Sequence, residues 1–473
     1  MADLLAQFAA SVARHPDRVA IVDGRGRETS FAALDVRART LAARWQRQGI
    51  GPGDRVLLAM GITADLYASL AALWSLGATV VLPEPAMGLR GLRHAAKTTK
   101  PVGFCASGWF IALRFLVPAL WGLRLLTPGA SQGAATEHAI TAGDVALISF
   151  TSGTTGPPKA IPRTHGFLQA QYQAVAPLLA SDGEERDLVC FPVFTLINLA
   201  EGRTSVLPSW SMRRIDRLKA LAVAQWLIQQ RITRALVPPS IADLMGAMRG
   251  EIALHTVFTG GGPVYPDIVR RLADRLKVRV ACVYGSTEAE PIAHLDADEI
   301  SDTDLRDMQN GRGLLVGQPV PEARVRIVDA EVQVAGGHVN AAYLDPAQTA
   351  ETKVREADTI WHRTGDAGVF DAAGRLWLLG RAGTQVETPN GPIYPFAVEV
   401  AARFWPGVAQ SALMERDGVP VLVVQGDADK RADWEARAKA MGLSGIETVA
   451  RIPMDRRHHS KVDRARLRKM LQG

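Results

Sequence analysis

Residues 151–159 form the part of the sequence best suited to hold a chain of phosphates. The segment reads TSGTTGPPK and directly follows the apolar run ALISF. Glycines and small hydroxyl residues let backbone amides and side chains wrap closely around phosphate oxygens, and the lysine adds positive charge. The spacing of glycine and lysine is not that of the nucleotide loop GxxxxGK[ST]. The segment therefore predicts a different phosphate-binding loop, made of Thr151, Ser152, Gly153, Thr154, Thr155, Gly156 and Lys159.

A second cluster reads YGSTE and follows another apolar run, VRVACV. The ring of Tyr284 could stack on a base, Thr287 could hydrogen-bond a phosphate, and Glu288 could hold Mg²⁺ through oxygen. Gly285 and Ser286 lie between them. A helix that begins with Ser286 as its cap explains the same residues equally well, so the cluster alone leaves both interpretations open.

Two further clusters also admit a binding and a structural interpretation. Asp366 ends the motif TGD, and Arg381 ends GRLWLLGR shortly after it. On neighbouring strands these two side chains could bind the hydroxyls of a ribose, or they could form an exposed salt bridge. Gly260, Gly261 and Gly262, after TVFT, would let a flat base lie against the backbone, or they are simply a turn.

The pattern of strands and helices places these clusters at strand ends. Near the N-terminus, VAIV, RVLLAM and ATVVLPEP alternate with helical segments, one of which begins after the N-cap candidate Ser30. A second series runs from VALISF to VRVACVYGSTE. This alternation predicts an α/β fold with two doubly wound parallel sheets, in which ligands bind beyond the carboxyl ends of the strands. The site is therefore expected after Phe150, Phe258 and Tyr284.

The remainder of the chain has a different pattern of apolar and polar residues. Residues 316–379 show short strand-like runs with many turns, which predict a small antiparallel β subdomain. After Arg381 a polar stretch rich in Gly and Pro precedes a helix, strands and a basic tail, and we expect a hinge there. The predicted domains are residues 1–381 and 382–473, the second a small α+β unit.

The composition argues against several classes of protein. The chain has 473 residues, and its three cysteines, Cys105, Cys190 and Cys282, have neither metal-ligand spacing nor a disulfide framework. The net charge is +6, but no aromatic platform accompanies the basic tail, so we expect no nucleic-acid partner. The N-terminal stretch has charges within its apolar part and no small-residue cleavage site. It predicts an amphipathic helix in a cytoplasmic protein.

One apolar stretch, residues 109–126, is long enough to raise the question of a membrane span. Arg114 and Arg124 would be costly at bilayer depth, and Pro118 interrupts a helix. A core or interface helix is therefore favoured and no transmembrane span is expected. Peripheral membrane contact stays open as the alternative.

In this order, TSGTTGPPK, GGG, YGSTE, TGD with GR and a C-terminal lysine resemble the adenylate-forming superfamily of acyl-CoA synthetases, peptide-synthetase adenylation domains and luciferases. The resemblance covers nearly the whole chain. It implies a large N-terminal domain and a small mobile C-terminal domain, with ATP, Mg²⁺ and a carboxylic acid bound between them. It also implies these roles: pyrophosphate binding by the loop ending at Lys159, adenine stacking by Tyr284, α-phosphate binding by Thr287, Mg²⁺ binding by Glu288, ribose binding by Asp366 and Arg381, and bridging of acid and α-phosphate by the catalytic Lys461.

Within the superfamily, the segments FPVFTLINLAEGRTSVLP, WHRTGDAGVFDAAGRLWLLGR and PMDRRHHSKVDRARL look like the β-lactone synthetases of bacterial olefin biosynthesis. Phe194 and Thr195 stand where many CoA ligases have a histidine. The likeness implies that the acyl-AMP of a β-hydroxy fatty acid closes on its own hydroxyl, so CoA is not expected to be required.

Two other fates stay open. The acyl group could pass to CoA or a carrier-protein thiol, with a carrier protein or other pathway enzymes as partners. The chain could also be a non-catalytic nucleotide-binding relative, although Lys159, Glu288 and Lys461 together argue against this. A shortened segment before Tyr343, and Ala382 at the hinge, depart from the usual pattern and bear on the rotation of the C-terminal domain.

Overall fold

The computed structural model describes residues 3–84, 87–130, 132–151, 158–248, 250, 252–455 and 459–472, without the side chain of Arg213. The helices in chain order are α1 (Leu4–Arg14), α2 (Phe31–Arg47), α3 (Ala64–Ser75), α4 (Gly88–Thr99), α5 (Leu113–Leu116), α6 (His165–Val175), α7 (Pro192–Glu201), α8 (Ala220–Gln229), α9 (Pro239–Met245), α10 (Pro266–Leu276), α11 (Asp302–Gln309), α12 (Pro346–Thr352), α13 (Pro395–Ala402), α14 (Arg431–Ala440) and α15 (Arg464–Gln472). The strands are β1 (Val19–Val22), β2 (Glu28–Ser30), β3 (Arg55–Ala59), β4 (Thr79–Leu82), β5 (Gly103–Ala106), β6 (Arg124–Leu126), β7 (Val145–Thr151), β8 (Lys159–Thr164), β9 (Arg186–Val189), β10 (Thr204–Val206), β11 (Arg234–Val237), β12 (Thr256–Gly260), β13 (Arg279–Ser286), β14 (Ala289–Asp296), β15 (Leu314–Pro319), β16 (Arg324–Val328), β17 (Glu331–Ala335), β18 (Lys353–Glu356), β19 (Thr359–Phe370), β20 (Leu376–Arg381), β21 (Val408–Arg416), β22 (Val419–Gly426) and β23 (Gly445–Thr448).

A six-stranded sheet in the order β6-β5-β3-β4-β7-β8 forms one layer. Its strands are parallel except for the last pair, where β7 and β8 run antiparallel. Leu57, Phe104 and Ile148 are buried in it, as expected for strands with helices on both faces. Thr151 and Lys159 are paired residues of β7 and β8, so the two ends of the predicted phosphate loop lie side by side at the sheet edge.

A larger sheet carries the other predicted clusters. Its parallel part follows the order β13-β12-β11-β9-β10-β1, and β2 pairs antiparallel with β1 at the end. Beyond β13 the sheet continues antiparallel through β14, β15, β20, β19, β17 and β16. The predicted antiparallel subdomain therefore exists, but it is continuous with the parallel sheet because β14 and β15 join the two.

The order of strands along the chain does not match the two sheets. The run VAIV, expected beside RVLLAM, forms β1 and pairs with β10 in the larger sheet. The run VALISF, expected to open the second sheet, forms β7 and pairs with β4 in the first. Hydrophobic periodicity predicts the type of an element, whereas pairing depends on crossovers that bring distant strands together. Ser30 is confirmed as an N-cap, because its hydroxyl accepts from the Ala33 amide at 3.2 Å.

The helix expected over residues 109–126 is wrong. The chain instead forms a 3-10 turn at Gly108–Ala112, the short helix α5, a second 3-10 turn at Pro118–Leu120 and the edge strand β6. Proline has no amide hydrogen to donate and its ring blocks the preceding turn, so α5 ends before Pro118. Within the ranges that the structure describes, no helix is both long and apolar enough to cross a bilayer.

The C-terminal part of the chain packs around its own clusters. Strands β21, β22 and β23 form a three-stranded sheet, with Trp405, Leu422 and Trp434 buried beside it. Arg403, at the end of α13, donates to both carboxylate oxygens of Asp267 on α10, at 2.9 and 2.6 Å. This ion pair joins the C-terminal part to the larger sheet's helical layer.

Candidate active site

The two described ends of the phosphate loop lie beside a cationic aromatic cluster. Lys159 Nζ is 3.4 Å from Glu351 Oε2 and 5.3 Å from the centre of the Tyr343 ring. The remaining loop residues of the prediction lie outside the described ranges: Ser152, Gly153, Thr154, Thr155 and Gly156. Lys159 therefore lies near the YGSTE segment, because the Tyr343 ring that it contacts also donates a hydrogen bond to Glu288.

The YGSTE segment is a hairpin turn and not a helix start. Strand β13 ends at Ser286 and β14 begins at Ala289, so Thr287 and Glu288 are the residues at the tip. The Glu288 amide donates to Ser286 Oγ at 3.2 Å, and Arg163 Nη2 donates to the Thr287 carbonyl at 2.6 Å. The helix-cap interpretation of Ser286 is therefore wrong, and the tight turn leaves both tip side chains at the end of a central strand.

Tyr284, Asp366 and Arg381 are brought together from three strands. The Tyr284 hydroxyl donates to Asp366 Oδ2 at 2.8 Å, and Arg381 Nη1 donates to Asp366 Oδ1 and to the Thr364 carbonyl, both at 3.0 Å. Burial raises the pKa of Tyr284 well above its ordinary value, so the hydroxyl stays a donor. Arg381 is 58 % exposed and Asp366 is 21 % exposed, so the pair faces an open side. Its role toward a ribose stays a prediction.

Glu288 lies in a cluster that sequence reasoning missed. The Tyr343 hydroxyl donates to Glu288 Oε1 at 2.9 Å. Lys353 Nζ lies 5.3 Å from the centre of the Tyr343 ring and donates a hydrogen bond to the Asn340 carbonyl. Burial alone would raise the pKa of Glu288, but the hydrogen bond from Tyr343 and the charge of Lys353 hold it below its ordinary value. Glu288 is therefore an ionised carboxylate.

Burial lowers the pKa of both basic side chains in this cluster. Burial lowers the pKa of Lys353 to about 7, against the opposing charge of Glu288. Burial and the charge of Lys353 lower the pKa of His362 to about 3. Lys353 and His362 are cross-strand partners on β18 and β19. A signal was present in the sequence, since His362 lies two residues before the TGD motif, but the hairpin that pairs it with Lys353 was not foreseen.

The donors around Glu288 suit Mg²⁺ only if phosphates complete the coordination. Among the described residues, no group of three His, Cys, Asp or Glu side chains surrounds a common point. Mg²⁺ is commonly held by one or two carboxylates together with substrate phosphates and waters. A single ionised carboxylate beside Lys159 fits that pattern.

Each glycine of the GGG turn lacks a side chain for a steric reason. A Cβ at Gly260 would collide with the Val283 carbonyl on the next strand, and Gly261 has a φ of +79°. A Cβ at Gly262 would lie 2.5 Å from the Cβ of Ser460. The turn is therefore in contact with the C-terminal part of the chain through Ser460.

Lys461 is positioned by this approach. Asp455 Oδ1 accepts from the amides of Ser460 and Lys461, both at 2.8 Å, and the Asp455 amide donates to the Lys461 carbonyl at 2.7 Å. The side chain of Lys461 is exposed. Lys461 thus follows Ser460, which packs on Gly262, and its backbone is bonded to Asp455, so it does not lie in a distant tail.

A small apolar pocket opens beside the glycine turn. The rings of Phe191 and Phe194 meet edge to face in its wall, with centres 5.9 Å apart. Thr259 is buried in the wall, and its hydroxyl has no hydrogen-bond partner in the part of the chain that the structure describes. The lining residues are Val175, Leu178, Leu179, Phe191, Phe194, Leu236, Phe258, Thr259, Gly260, Val283 and Glu290. Leu179, Thr259 and Glu290 lie outside the sequence motifs that predicted the site.

Comparison with known proteins gives a consistent result. A family model described as AMP-binding enzyme matches residues 8–339. An olefin β-lactone synthetase from Stenotrophomonas maltophilia is 30% identical, over 96% of this chain and 95% of its own. A 2-succinylbenzoate–CoA ligase from Geobacillus kaustophilus is 28% identical, over 84% of this chain and 81% of its own. The structure of ATP-bound MatB from Rhodopseudomonas palustris superposes with a TM-score of 0.83, covering 100% of this chain and 99% of that one at 20% identity, which shows a shared fold.

Proposed function

The chain belongs to the AMP-binding enzyme family and is an acyl-adenylate-forming enzyme, and we propose that its acid is a β-hydroxy fatty acid whose acyl-AMP closes to a β-lactone without CoA. The observation that carries the proposal is the apolar pocket that opens at Gly260 and contains Thr259 and Glu290. An alkyl chain suits the apolar walls, while the hydroxyl of Thr259 and the carboxylate of Glu290 suit a polar substituent near the carboxyl end. The relative from Stenotrophomonas maltophilia supports the same choice.

The first half-reaction needs charge stabilisation and no protein nucleophile. The substrate carboxylate attacks the α-phosphorus of ATP in line, and pyrophosphate leaves. In this proposal Lys159 and the loop from Thr151 hold the leaving pyrophosphate, while Thr287 and Lys461 bind the α-phosphate as its charge develops. Mg²⁺ at Glu288 would neutralise part of the triphosphate charge. Tyr284 would stack on the adenine, with Asp366 and Arg381 on the ribose.

The second half-reaction needs only the substrate's own hydroxyl. The β-hydroxyl oxygen attacks the acyl carbonyl, the bond from that carbon to the phosphate oxygen breaks, AMP leaves, and the hydroxyl proton goes to a base. The intramolecular attack has an effective molarity that a diffusing thiol lacks. Glu290 is the carboxylate of the pocket wall that could accept the hydroxyl hydrogen bond. In this proposal the enzyme acts in the cytoplasm.

Transfer to a thiol is the second candidate, supported by the likeness to the CoA ligase. It uses the same nucleotide residues but requires the C-terminal domain, residues 382–473 in our prediction, to rotate between half-reactions. Rotation would break the ion pair between Arg403 and Asp267, in which Arg403 is only 6 % exposed. Ring closure to a lactone requires no such movement, so this contact favours the first candidate.

We expect the enzyme to convert a long-chain 2-alkyl-3-hydroxy acid to a four-membered lactone with Mg²⁺ and ATP alone. The product is identified by its infrared carbonyl stretch and by mass spectrometry, with pyrophosphate measured in parallel. The matched control is the same acid without the 3-hydroxyl, which should release pyrophosphate without forming lactone. Consumption of the hydroxy acid only when CoA is present, with a thioester accumulating, would show that the enzyme is a ligase.

Replacing Asp366 by alanine should weaken ATP binding by about 1–3 kcal/mol, the range for hydrogen-bond partners left unsatisfied. The change removes the acceptor of both Tyr284 and Arg381. Binding is measured by titration calorimetry, with Asp358→Ala, an exposed carboxylate on the β18 to β19 turn, as the charge-matched control. Equal ATP affinity in the two variants would remove Asp366 from the ribose site.

A further inference from the structure

A group of large apolar side chains stands exposed on the first sheet's outer edge. Trp109, Phe115, Leu116 and Trp121 are 69, 77, 60 and 60 % exposed. Trp109 belongs to the first 3-10 turn, Phe115 and Leu116 belong to α5, and Trp121 follows the second 3-10 turn, ahead of the edge strand β6. Single exposed apolar residues are ordinary, but two tryptophans, a phenylalanine and a leucine within thirteen residues form a patch that a soluble surface seldom carries without a partner.

The patch is held in a defined shape. Leu113, Val117 and Leu120 are buried beneath it, in the same cluster as Leu92 and Ala96 of α4. Arg114 Nη2 donates to the Trp121 carbonyl at 3.1 Å, which ties α5 to the turn that follows. The exposed rings are therefore held in place by buried residues of the same segment, which pack against α4.

The outer face of α4 is basic. Its buried residues include Leu92 and Ala95, whereas Arg90, Arg93 and Lys97 are exposed. Between residues 85 and 136 the sequence has six Lys or Arg and no Asp or Glu, which equals the whole net charge of the chain, +6. None of these six cations pairs with a carboxylate elsewhere in the described ranges.

We propose that this docking face, the exposed rings of Trp109, Phe115 and Trp121 with the basic face of α4, binds the surface of an anionic lipid bilayer. Tryptophan and other apolar side chains insert at the boundary of headgroups and acyl chains, and flanking Arg and Lys are attracted to anionic headgroups. A segment with six cations and no carboxylate between residues 85 and 136 has the charge complement of such a surface. The inference goes beyond the chemistry of the active site and does not depend on the fate of the acyl-AMP.

The test is flotation of the full chain with vesicles of equal parts phosphatidylglycerol and phosphatidylcholine, and with vesicles of phosphatidylcholine alone. We expect binding to the anionic vesicles that weakens with added salt, since exposed charges are screened. Phe115→Ser with Trp121→Ser, and separately Arg93→Ser with Lys97→Ser, should each lower the bound fraction at limiting lipid about ten-fold. The matched control is Leu221→Ser with Ile228→Ser on α8, which removes two side chains that are 68 and 60 % exposed elsewhere.

Thermal unfolding and pyrophosphate release with a water-soluble acid show whether a variant has lost its fold or its active site. All three variants should match the parent in both measurements. Several results would overturn the proposal: no flotation of the parent, equal binding to vesicles of phosphatidylcholine alone, or equal loss in the α8 control. A parent that is dimeric, and that becomes monomeric when the two rings are replaced, would assign the face to a second copy of the chain instead.

Discussion

Replacing Lys461 by alanine should lower acid-dependent pyrophosphate release by about 10²-fold or more, the loss expected when one charge-stabilising donor is removed. The ammonium is proposed to act on the acid and the α-phosphate. Its neighbour Ser460 contacts Gly262, at the end of strand β12 where the candidate site lies. The fold should be unaffected, because the side chain is exposed and the turn is held by backbone bonds to Asp455.

The measurement is the initial rate of pyrophosphate release at saturating ATP and acid, together with ATP binding and thermal unfolding of both proteins. Lys469→Ala is the matched control, since Lys469 is exposed on α15 in the same basic tail. The control should keep the parent's rate. If Lys461→Ala did so too, Lys461 would be an ordinary surface charge, and the catalytic role would have to move to another cation.

The candidate site was predicted at strand ends, and the expected α/β fold class is confirmed, although the strands pair in an order that differs from their order along the chain. Thr151, Gly260 and Ser286 do end β7, β12 and β13. Strand β7, however, belongs to one sheet, and β12 and β13 belong to the other. These three strands were expected in one series along the chain, but their ends belong to two different sheets. Hydrophobic periodicity carries no information on how two sheets pack together.

The cluster around Glu288 shows what local motifs leave out. Lys353 and Tyr343 have no motif of their own, and they reach Glu288 because the β18 to β19 hairpin and the loop before α12 fold back on the β13 to β14 turn. Their importance comes from where they are buried and not from their residue type alone. Burial lowers the pKa of Lys353, and the hydrogen bond from Tyr343 helps to lower the pKa of Glu288. Such effects depend on tertiary burial, which no residue spacing specifies.

A buried ion pair behind the apolar pocket is the second feature on which a large effect should depend. Arg234 Nε and Nη2 donate to the two carboxylate oxygens of Asp187, both at 2.8 Å, with 2 % and 0 % of the side chains exposed. Arg234 also donates to the Leu179 carbonyl at 2.7 Å and lies 5.7 Å from the Phe258 ring centre. Leu179 and Phe258 line the pocket, so the pair supports its wall.

Asp187→Ala should lower the free energy of unfolding by about 3–5 kcal/mol, because it leaves the Arg234 charge buried without its partner. Glu185 Oε2 is 3.8 Å from Arg234 Nε but already accepts from Thr233 at 2.5 Å, so it should not compensate fully.

Denaturant unfolding followed by tryptophan fluorescence measures this loss, with Glu356→Ala as the control because its pair with Arg326 is exposed and worth at most about 1 kcal/mol. The double variant Asp187→Leu with Arg234→Met should recover most of the loss, since apolar side chains of similar volume can replace a buried pair at little cost. If Asp187→Ala cost no more than Glu356→Ala, the pair would not be the buried charge contact that the pocket wall rests on. If the double variant were as unstable as the single one, the loss would come from the other contacts of Asp187, including the hydrogen bond that Asn198 donates to it at 3.0 Å, and not from an unpaired charge.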